Sequence, residues 1–391
     1  MAGTEELVPP EWPASGPAAD WEGRPTERIL ITADTVGGVW TYAMELARGL
    51  TAGGAEVALA TMGAPVSRDQ RKEANSIPKL TLHESTFKLE WMREPWDDVH
   101  LAGEWLLGIE QQFRPGVVHL NQYCFGPLPF RAPVLVAGHS CVLSWWRSVH
   151  GAHAPAEWDR YRDNVARGLR AASLVVAPTY AMLRALKQHY GALPRTAVIP
   201  NGRSISPVTG AAKLPLLFAA GRLWDEAKNL AALEAIASEL PWPVYVAGDA
   251  QHPDGRVRSC AGCRFLGRVT GKLVAWWLER ASIFVSPARY EPFGLCALEA
   301  ALAGCALVLG DIPSLREVWG ENAVFVEPDD HRRLQRAICT LMEKPELRLE
   351  LARRARERAL EFSVRRMVDG YNRIYASLVR ISTNPVNARI A

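Results

Sequence analysis

The sequence predicts an α/β protein built as two doubly wound domains that face a cleft. Two observations carry that prediction. Strand patterns alternate with helix patterns twice over, and each series opens on an apolar strand running into a glycine turn. The chain has 391 residues, of which 48% are hydrophobic and 22% charged, which suits two soluble domains with a full core each.

Composition narrows the function classes. A net charge of +3 is too mild to argue for nucleic acid. No apolar run has the length of a bilayer span. The first residues carry Glu5, Glu6 and several prolines but no apolar signal core, so a secretory signal is not expected. Seven cysteines, an odd number, suggest reduced thiols and a cytoplasmic protein. A peripheral place at the inner membrane face stays open, because Arg160, Arg162, Arg167 and Arg170 interleave with Trp158 and Tyr161 on one helix. The plainer reading of those arginines is a solvated face.

Residues 1–27 are proline-rich and read as a poorly ordered leader. A first domain follows over 28–205. Its opening strand, from Arg28 to Thr32, runs through Gly37 and Gly38 into a helix from Thr41 to about Ala52, with Tyr42, Leu46 and Leu50 at helical spacing. The Gly-Gly pair is not a G-x-G-x-x-G, so it is a tight turn or a ligand loop rather than a dinucleotide site. Val57 to Ala60 reads as the second strand, residues 62–79 as polar loop, and Leu80 to Leu82 as a short strand. Trp91 to Phe113 reads as helix and Val117 to Leu120 as strand. Pro133 to Ala137 is a buried strand ending in Gly138, His139 and Ser140. A histidine just past the carboxyl end of a parallel strand points into the ligand crevice or caps a turn. A further helix, from about Pro155 to Ala172, a strand from Ser173 to Ala177 and a helix to about Tyr190 lead to Val-Ile-Pro-Asn-Gly at 198–202. The hinge is expected near 202–213.

The second domain, 206–363, restarts with an apolar strand from Pro215 to Ala220. It turns through Gly221 and Arg222 to Lys228 and Asn229, then enters a helix. Two cations bracketing a strand-to-helix turn suit a diphosphate, although unrelated surface cations produce the same pattern. Val244 to Ala247 is a strand. Cys260 and Cys263 form a lone C-x-x-C, a weak metal signal and more simply a pair of reduced thiols. From Ala281 the chain reads as strand, loop and helix start. Pro287 and Pro292 bound the loop, and Leu295 onward favours helix. The free N–H groups of Phe293, Gly294 and Leu295 at that helix start can hold an anion, and Gly294 permits close backbone approach. Glu291 and Glu299 frame this site with seven residues between them. In isolation the two are an ordinary loop acid and a solvated helix residue. Apolar runs follow at Ala306 to Gly310 and Ala323 to Val326, helices that are rich in arginine cover Arg332 to about Phe362, and a last helix covers 364–380.

The Glu-x7-Glu pattern set in Glu-Pro-Phe-Gly-Leu resembles the retaining glycosyltransferases of family 4, and the likeness covers roughly residues 28–378. Gly221 to Asn229, Val198 to Gly202 and His139 share it. The resemblance implies a GT-B fold, with an acceptor-binding first domain, a nucleotide-sugar-binding second domain and a terminal helix that crosses back. It implies that Glu299 holds the ribose, that Phe293, Gly294 and Leu295 meet the sugar and phosphate, and that Arg222 and Lys228 stabilise the diphosphate. Here the arginine-to-lysine spacing is one residue longer than the family's common pattern. His139 and Glu291 would act at the reacting sugar, Gly38 would lie over a phosphate, and Arg268 and Val269 would stand near the nucleobase. The donor would be a nucleotide-diphosphate sugar, and the acceptor a saccharide, a lipid-linked glycan or a small molecule. No D-x-D pattern is present, so neither a metal nor another cofactor is expected. An epimerase or hydrolase on the same scaffold, and a non-catalytic sugar-nucleotide-binding protein, are the alternative readings.

Overall fold

The computed structural model describes residues 26–204, 211–250 and 262–382. Most of the expected leader, Cys260 and residues 205–210 of the expected hinge lie outside them.

The first domain runs β1 (Arg28–Asp34), α1 (Gly38–Ala52), β2 (Glu56–Met62), α2 (Arg68–Asn75), β3 (Leu80–Glu84), α3 (Trp96–Phe113) and β4 (Val117–Leu120). It continues with β5 (Val134–Ala137), α4 (Val142–His150), α5 (Asp159–Ala171), β6 (Leu174–Ala177), α6 (Tyr180–Tyr190) and β7 (Thr196–Val198). The second comprises β8 (Leu214–Ala220), α7 (Leu230–Ala237), β9 (Val244–Ala247), β10 (Arg264–Gly267), α8 (Gly271–Arg280), β11 (Ala281–Ser286) and α9 (Leu295–Leu302). It closes with β12 (Ala306–Gly310), α10 (Pro313–Trp319), β13 (Val324–Val326), α11 (His331–Glu343) and α12 (Pro345–Leu360), and α13 (Val364–Ser382) follows.

The strand orders are β3-β2-β1-β4-β5-β6-β7 and β10-β9-β8-β11-β12-β13, with every pair parallel. Each sheet starts in its middle and winds outward both ways. The direction reverses between β1 and β4 and between β8 and β11, and at such a reversal the carboxyl ends of the strands leave a crevice. Helices cover both faces, so the inner strands are largely buried: five consecutive residues of β1 are inaccessible. Ile29 and Ile31 pack toward α1, whereas Leu30 packs with Leu106, Tyr161 and Leu186 on the other face.

Helix α13 belongs to the first domain's core. Met367, Val368, Tyr371, Tyr375 and Leu378 pack with Leu46 and Leu50 of α1, and a Cβ on Gly49 would overlap Val368. This helix therefore ties the far end of the chain to the first sheet.

Local structure departs from the sequence expectation in several places, three of them in the first domain's loops and helix starts. The polar stretch 62–79 contains α2, because Ser67 and Gln70 form a reciprocal capping box that starts a helix without an apolar stripe. Helix α3 begins at Trp96, not Trp91, with Pro95 at its N-cap. The run after His139 is helical from Val142, where the Cys141 sulfur accepts from the Ser144 N–H.

Candidate active site

The carboxyl ends of β8 and β11 bring the second domain's predicted residues to one wall. Gly221, Gly248 and Gly267 end β8, β9 and β10 side by side. Gly248 has φ +151, a Cβ there would collide with the Gly221 carbonyl, and its N–H donates to the Gly267 carbonyl at 2.9 Å. Arg268 and Val269 follow Gly267, with Val269 packed on the core beneath. The stem of Lys228 lies along Gly221. Its Nζ donates to Glu291 Oε2 at 2.5 Å, and both side chains are about four-fifths buried. Burial and the nearby Arg222 oppose the charge on Lys228, but the Glu291 and Asp225 carboxylates together raise the lysine's pKa.

The loop carrying Glu291 is held on several sides. The Arg289 N–H donates to the Ala227 carbonyl at 2.8 Å, and Ser314 Oγ donates to the Glu291 carbonyl at 2.6 Å. Gly294 is in the left-handed region, φ +90, and caps α9. Its N–H, one of the three expected to hold an anion, donates to Glu291 Oε1 at 3.2 Å. Phe293 buries its ring edge-on against Phe362, so its part in the wall is backbone alone. The Leu295 side chain reaches the other domain, 3.4 Å from where a Cβ on Gly38 would stand.

Arg222 is paired within its own turn. Its Nη2 donates to Asp225 Oδ2 at 2.8 Å, and Asp225 also accepts from Trp145 Nε1 of the first domain at 2.9 Å. Burial alone would raise Asp225, yet the Arg222 and Lys228 charges and these hydrogen bonds hold its carboxyl below the usual range.

The first domain's wall is largely neutral. Asn121, just past β4, donates from Nδ2 to the Thr32 carbonyl at 2.5 Å, which turns its Oδ1 toward His139 Nε2 at 2.8 Å. That contact makes Nε2–H the donor and leaves His139 Nδ1 as an acceptor. Burial lowers His139 to about 4, and the ring edges onto Tyr42 at 4.3 Å. Behind it, fully buried His119 sits between Tyr42 Oη at 3.3 Å and Tyr375 Oη of α13 at 2.6 Å. Burial first, then the nearby His139, lower it to about 3.

One carboxyl breaks this neutrality. Asp34 ends β1, and burial pushes it up to about 7 against the opposing pull of Arg222. Its Oδ1 and Arg222 Nε are both buried without a hydrogen-bond partner among the described residues. Gly37, φ +94, lies between the two walls, and a Cβ on it would stand 2.9 Å from Arg222 Nη1. The Gly37–Gly38 turn therefore lets the second domain's arginine approach the first domain's backbone.

Further contacts join the walls. Thr179 Oγ1 donates to the Pro292 carbonyl at 3.0 Å, and the Cys141 N–H to Tyr290 Oη at 3.2 Å. Arg203 donates to Glu299 Oε1 at 2.7 Å and to Glu45 Oε1 of α1 at 2.5 Å. Thus Arg222, Lys228, Glu291, Glu299, Gly294, Gly38 and His139 all line or approach the cleft. Asp34, Asn121, Asp225, Trp145 and Arg203 were missed by sequence reasoning. Arg203 follows the Asn-Gly pair directly and Asp225 stands inside the Arg222–Lys228 turn, so adjacency to those segments was the signal available. The arginines of α5 bear out the plainer reading in part: Arg162 pairs with Asp159 and Asp163 at the surface, and Arg160 stacks over Trp96. Among the described residues, no cluster of three metal-ligating side chains occurs and no helix is long and apolar enough to cross a membrane.

Two family models match the chain, one per domain. "Glycosyltransferase Family 4" covers residues 36–206 and "Glycosyl transferases group 1" covers 215–344. Glycogen synthase of Mycobacterium tuberculosis is 26% identical over 278 residues, 64% of this chain and 66% of the synthase, just under two thirds of that relative. D-inositol 3-phosphate glycosyltransferase of Geodermatophilus obscurus is 28% identical, over 88% of this chain and 86% of its own. The crystal structure of Anabaena Alr3699/HepE in complex with UDP-glucose superposes with a TM-score of 0.68 at 17% identity. That likeness, over 90% of this chain and 99% of the other, is one of fold.

Proposed function

The chain belongs to glycosyltransferase family 4 and has the GT-B fold, and from that premise we propose that it moves a sugar from a nucleotide-diphosphate sugar to an acceptor hydroxyl with retention of configuration. The observation that carries the reading is the second wall itself. Arg222, Lys228, Glu291 and the start of α9 converge on a glycine floor at the reversal point of a parallel sheet. Such a crevice takes a nucleotide with its phosphates toward the cations and the helix start.

In this reading the diphosphate lies against Arg222 and Lys228, competing with Asp225 and Glu291 for them. Glu299 receives the ribose hydroxyls. Glu291 keeps Lys228 and the Gly294 N–H in place and meets the sugar. His139, neutral at pH 7, offers its Nδ1 to a sugar hydroxyl. The bond between the anomeric carbon and the leaving phosphate oxygen breaks as the acceptor oxygen bonds to the same face of the sugar. The acceptor's proton passes to that phosphate oxygen, whose negative charge the two cations stabilise. None of these residues is placed as a covalent nucleophile. The relatives' names span a glycogen synthase and an inositol phosphate glycosyltransferase, so a saccharide and a small polar metabolite are the acceptor classes to try first. The Anabaena complex makes uridine the first base to try.

Thermal melting against UDP, GDP, ADP and the matching nucleotide sugars tests the donor site. A ligand at about 100 times its Kd adds about 2.7 kcal/mol to the folded state, an unmistakable rise in Tm. One base is expected to stabilise the protein, and Arg222→Ala to abolish the shift. Absence of a shift with every nucleotide would sink the donor reading.

A further inference from the structure

Glu299 is part of a chain of charges that crosses the cleft. Its Oε1 accepts from Arg203 Nε at 2.7 Å, while Arg203 Nη1 donates to Glu45 Oε1 at 2.5 Å. Glu45 sits on α1 with its side chain 2% exposed, and its Oε2 accepts from Ser204 Oγ at 2.6 Å. The backbone under Arg203 is pinned as well. Its N–H donates to the Phe362 carbonyl at 3.0 Å, and a Cβ on the preceding Gly202 would press on Ser363. Burial would weaken the guanidinium, yet Glu299 and Glu45 together raise its pKa. An immobile carboxylate of the first domain therefore fixes Arg203, and Arg203 fixes one oxygen of a carboxylate in the second. Glu299 Oε2 has no partner among the described residues.

We propose, on the reading of Glu299 as the ribose-binding carboxylate, that Arg203 anchored by Glu45 is the positioning residue for that carboxylate, so that ribose recognition is completed by the first domain. A glutamate side chain loses rotamer freedom when it engages a ligand. Arg203 removes that freedom beforehand and presents Oε2 to the sugar hydroxyls. A guanidinium suits the task because its planar fork bonds two carboxylates at once, which a lysine ammonium does not reproduce with the same geometry.

The test is a pair of titrations on the full chain, by calorimetry. The best binder among UDP, GDP and ADP is compared with its 2′,3′-dideoxy counterpart, for wild type, Arg203→Lys and Glu45→Gln. Wild type is expected to favour the ribonucleotide. Each variant is expected to weaken ribonucleotide binding about tenfold and leave the dideoxynucleotide within about twofold, so the preference collapses. Glu45→Gln keeps the shape of the buried site and carries the test if Arg203→Lys fails to fold. An unchanged preference in the folded variants overturns the proposal while leaving the donor reading intact. So does an equal loss for both nucleotides, which marks a merely structural role. A wild type with no preference between the two nucleotides overturns the ribose assignment of Glu299, and this inference with it.

Discussion

The two walls of the cleft are built on one backbone plan and carry opposite chemistry. Each is the carboxyl rim of a parallel sheet that starts in its middle, and each has a glycine turn after its first strand. On the second domain's rim the two cations at the turn after β8 each have a carboxylate: Arg222 with Asp225, Lys228 with Glu291. On the first domain's rim the polar groups are mostly neutral, with His139 on Asn121 and, buried behind it, His119 between two tyrosines. The difference teaches that the fold supplies a crevice twice, and the residues at the strand ends decide what each crevice can receive. A charged wall suits a diphosphate, which brings its own negative charge. A neutral wall suits hydroxyl groups.

The sharpest way to break this contrast is to remove the cation at the centre of the charged wall. Lys228→Ala leaves the Glu291 carboxylate without its ion-pair partner and the leaving phosphate with one cation instead of two. Sugar-transfer kcat/KM is expected to fall about a hundredfold. Retained turnover would show that the charged wall is not the donor wall.

The next largest effect belongs to an acid at the end of β1 on the neutral wall. Asp34 has a folded-state pKa of about 7 against an ordinary value of 3.8. Between those values the folded protein holds a proton that the unfolded chain has released. Asp34 thus contributes fully below the unfolded value, and stability is lost as pH rises through the folded one. From pH 5 to pH 7 that loss comes to about 2 kcal/mol. Asp34→Asn is expected to remove it, so the variant's Tm gains on wild type as pH climbs. Parallel Tm profiles for the two proteins would show that Asp34 titrates normally.

Within the charged wall, Glu299 and Glu291 should separate. Glu299→Ala is expected to raise the nucleotide Kd about tenfold. Glu291→Ala is expected to lower kcat more than it weakens binding. Identical, wild-type kinetics for both variants would dissolve the distinction between ribose end and reacting end.

The smallest effect concerns the support behind the neutral wall. Tyr375→Phe deletes the α13 hydroxyl that meets His119 Nδ1 and should cost about 1 kcal/mol of stability. Nucleotide affinity should stay unchanged, because α13 stands behind the first wall. A loss of nucleotide binding would show the walls to be mechanically coupled through α13.

Much of this was legible in the sequence because its signals are local. Apolar runs ending in glycine marked β1 and β8, and Glu291, Gly294 and Glu299 lie on one continuous stretch around a single helix start. Helix α2 escaped because its cap is a side-chain contact between Ser67 and Gln70, with no apolar stripe to announce it. The wall partners escaped for a different reason. Arg203 stands directly after the Asn-Gly pair, and nothing in its neighbours says which charge it meets.

Spacing along the chain was enough to set the strand-turn-helix units, their parallel sheets and the strand ends that bear ionisable groups. Hydrophobic periodicity and backbone stereochemistry act over about ten residues and need no knowledge of the rest. The pairing of those groups required the assembled fold. Arg203 meets Glu45 across a sequence separation of 158 and Glu299 across 96, and Trp145 meets Asp225 across 80. Hydrogen bonding and desolvation depend on distances of a few ångströms and on what surrounds the group, and those quantities exist after the two domains have met.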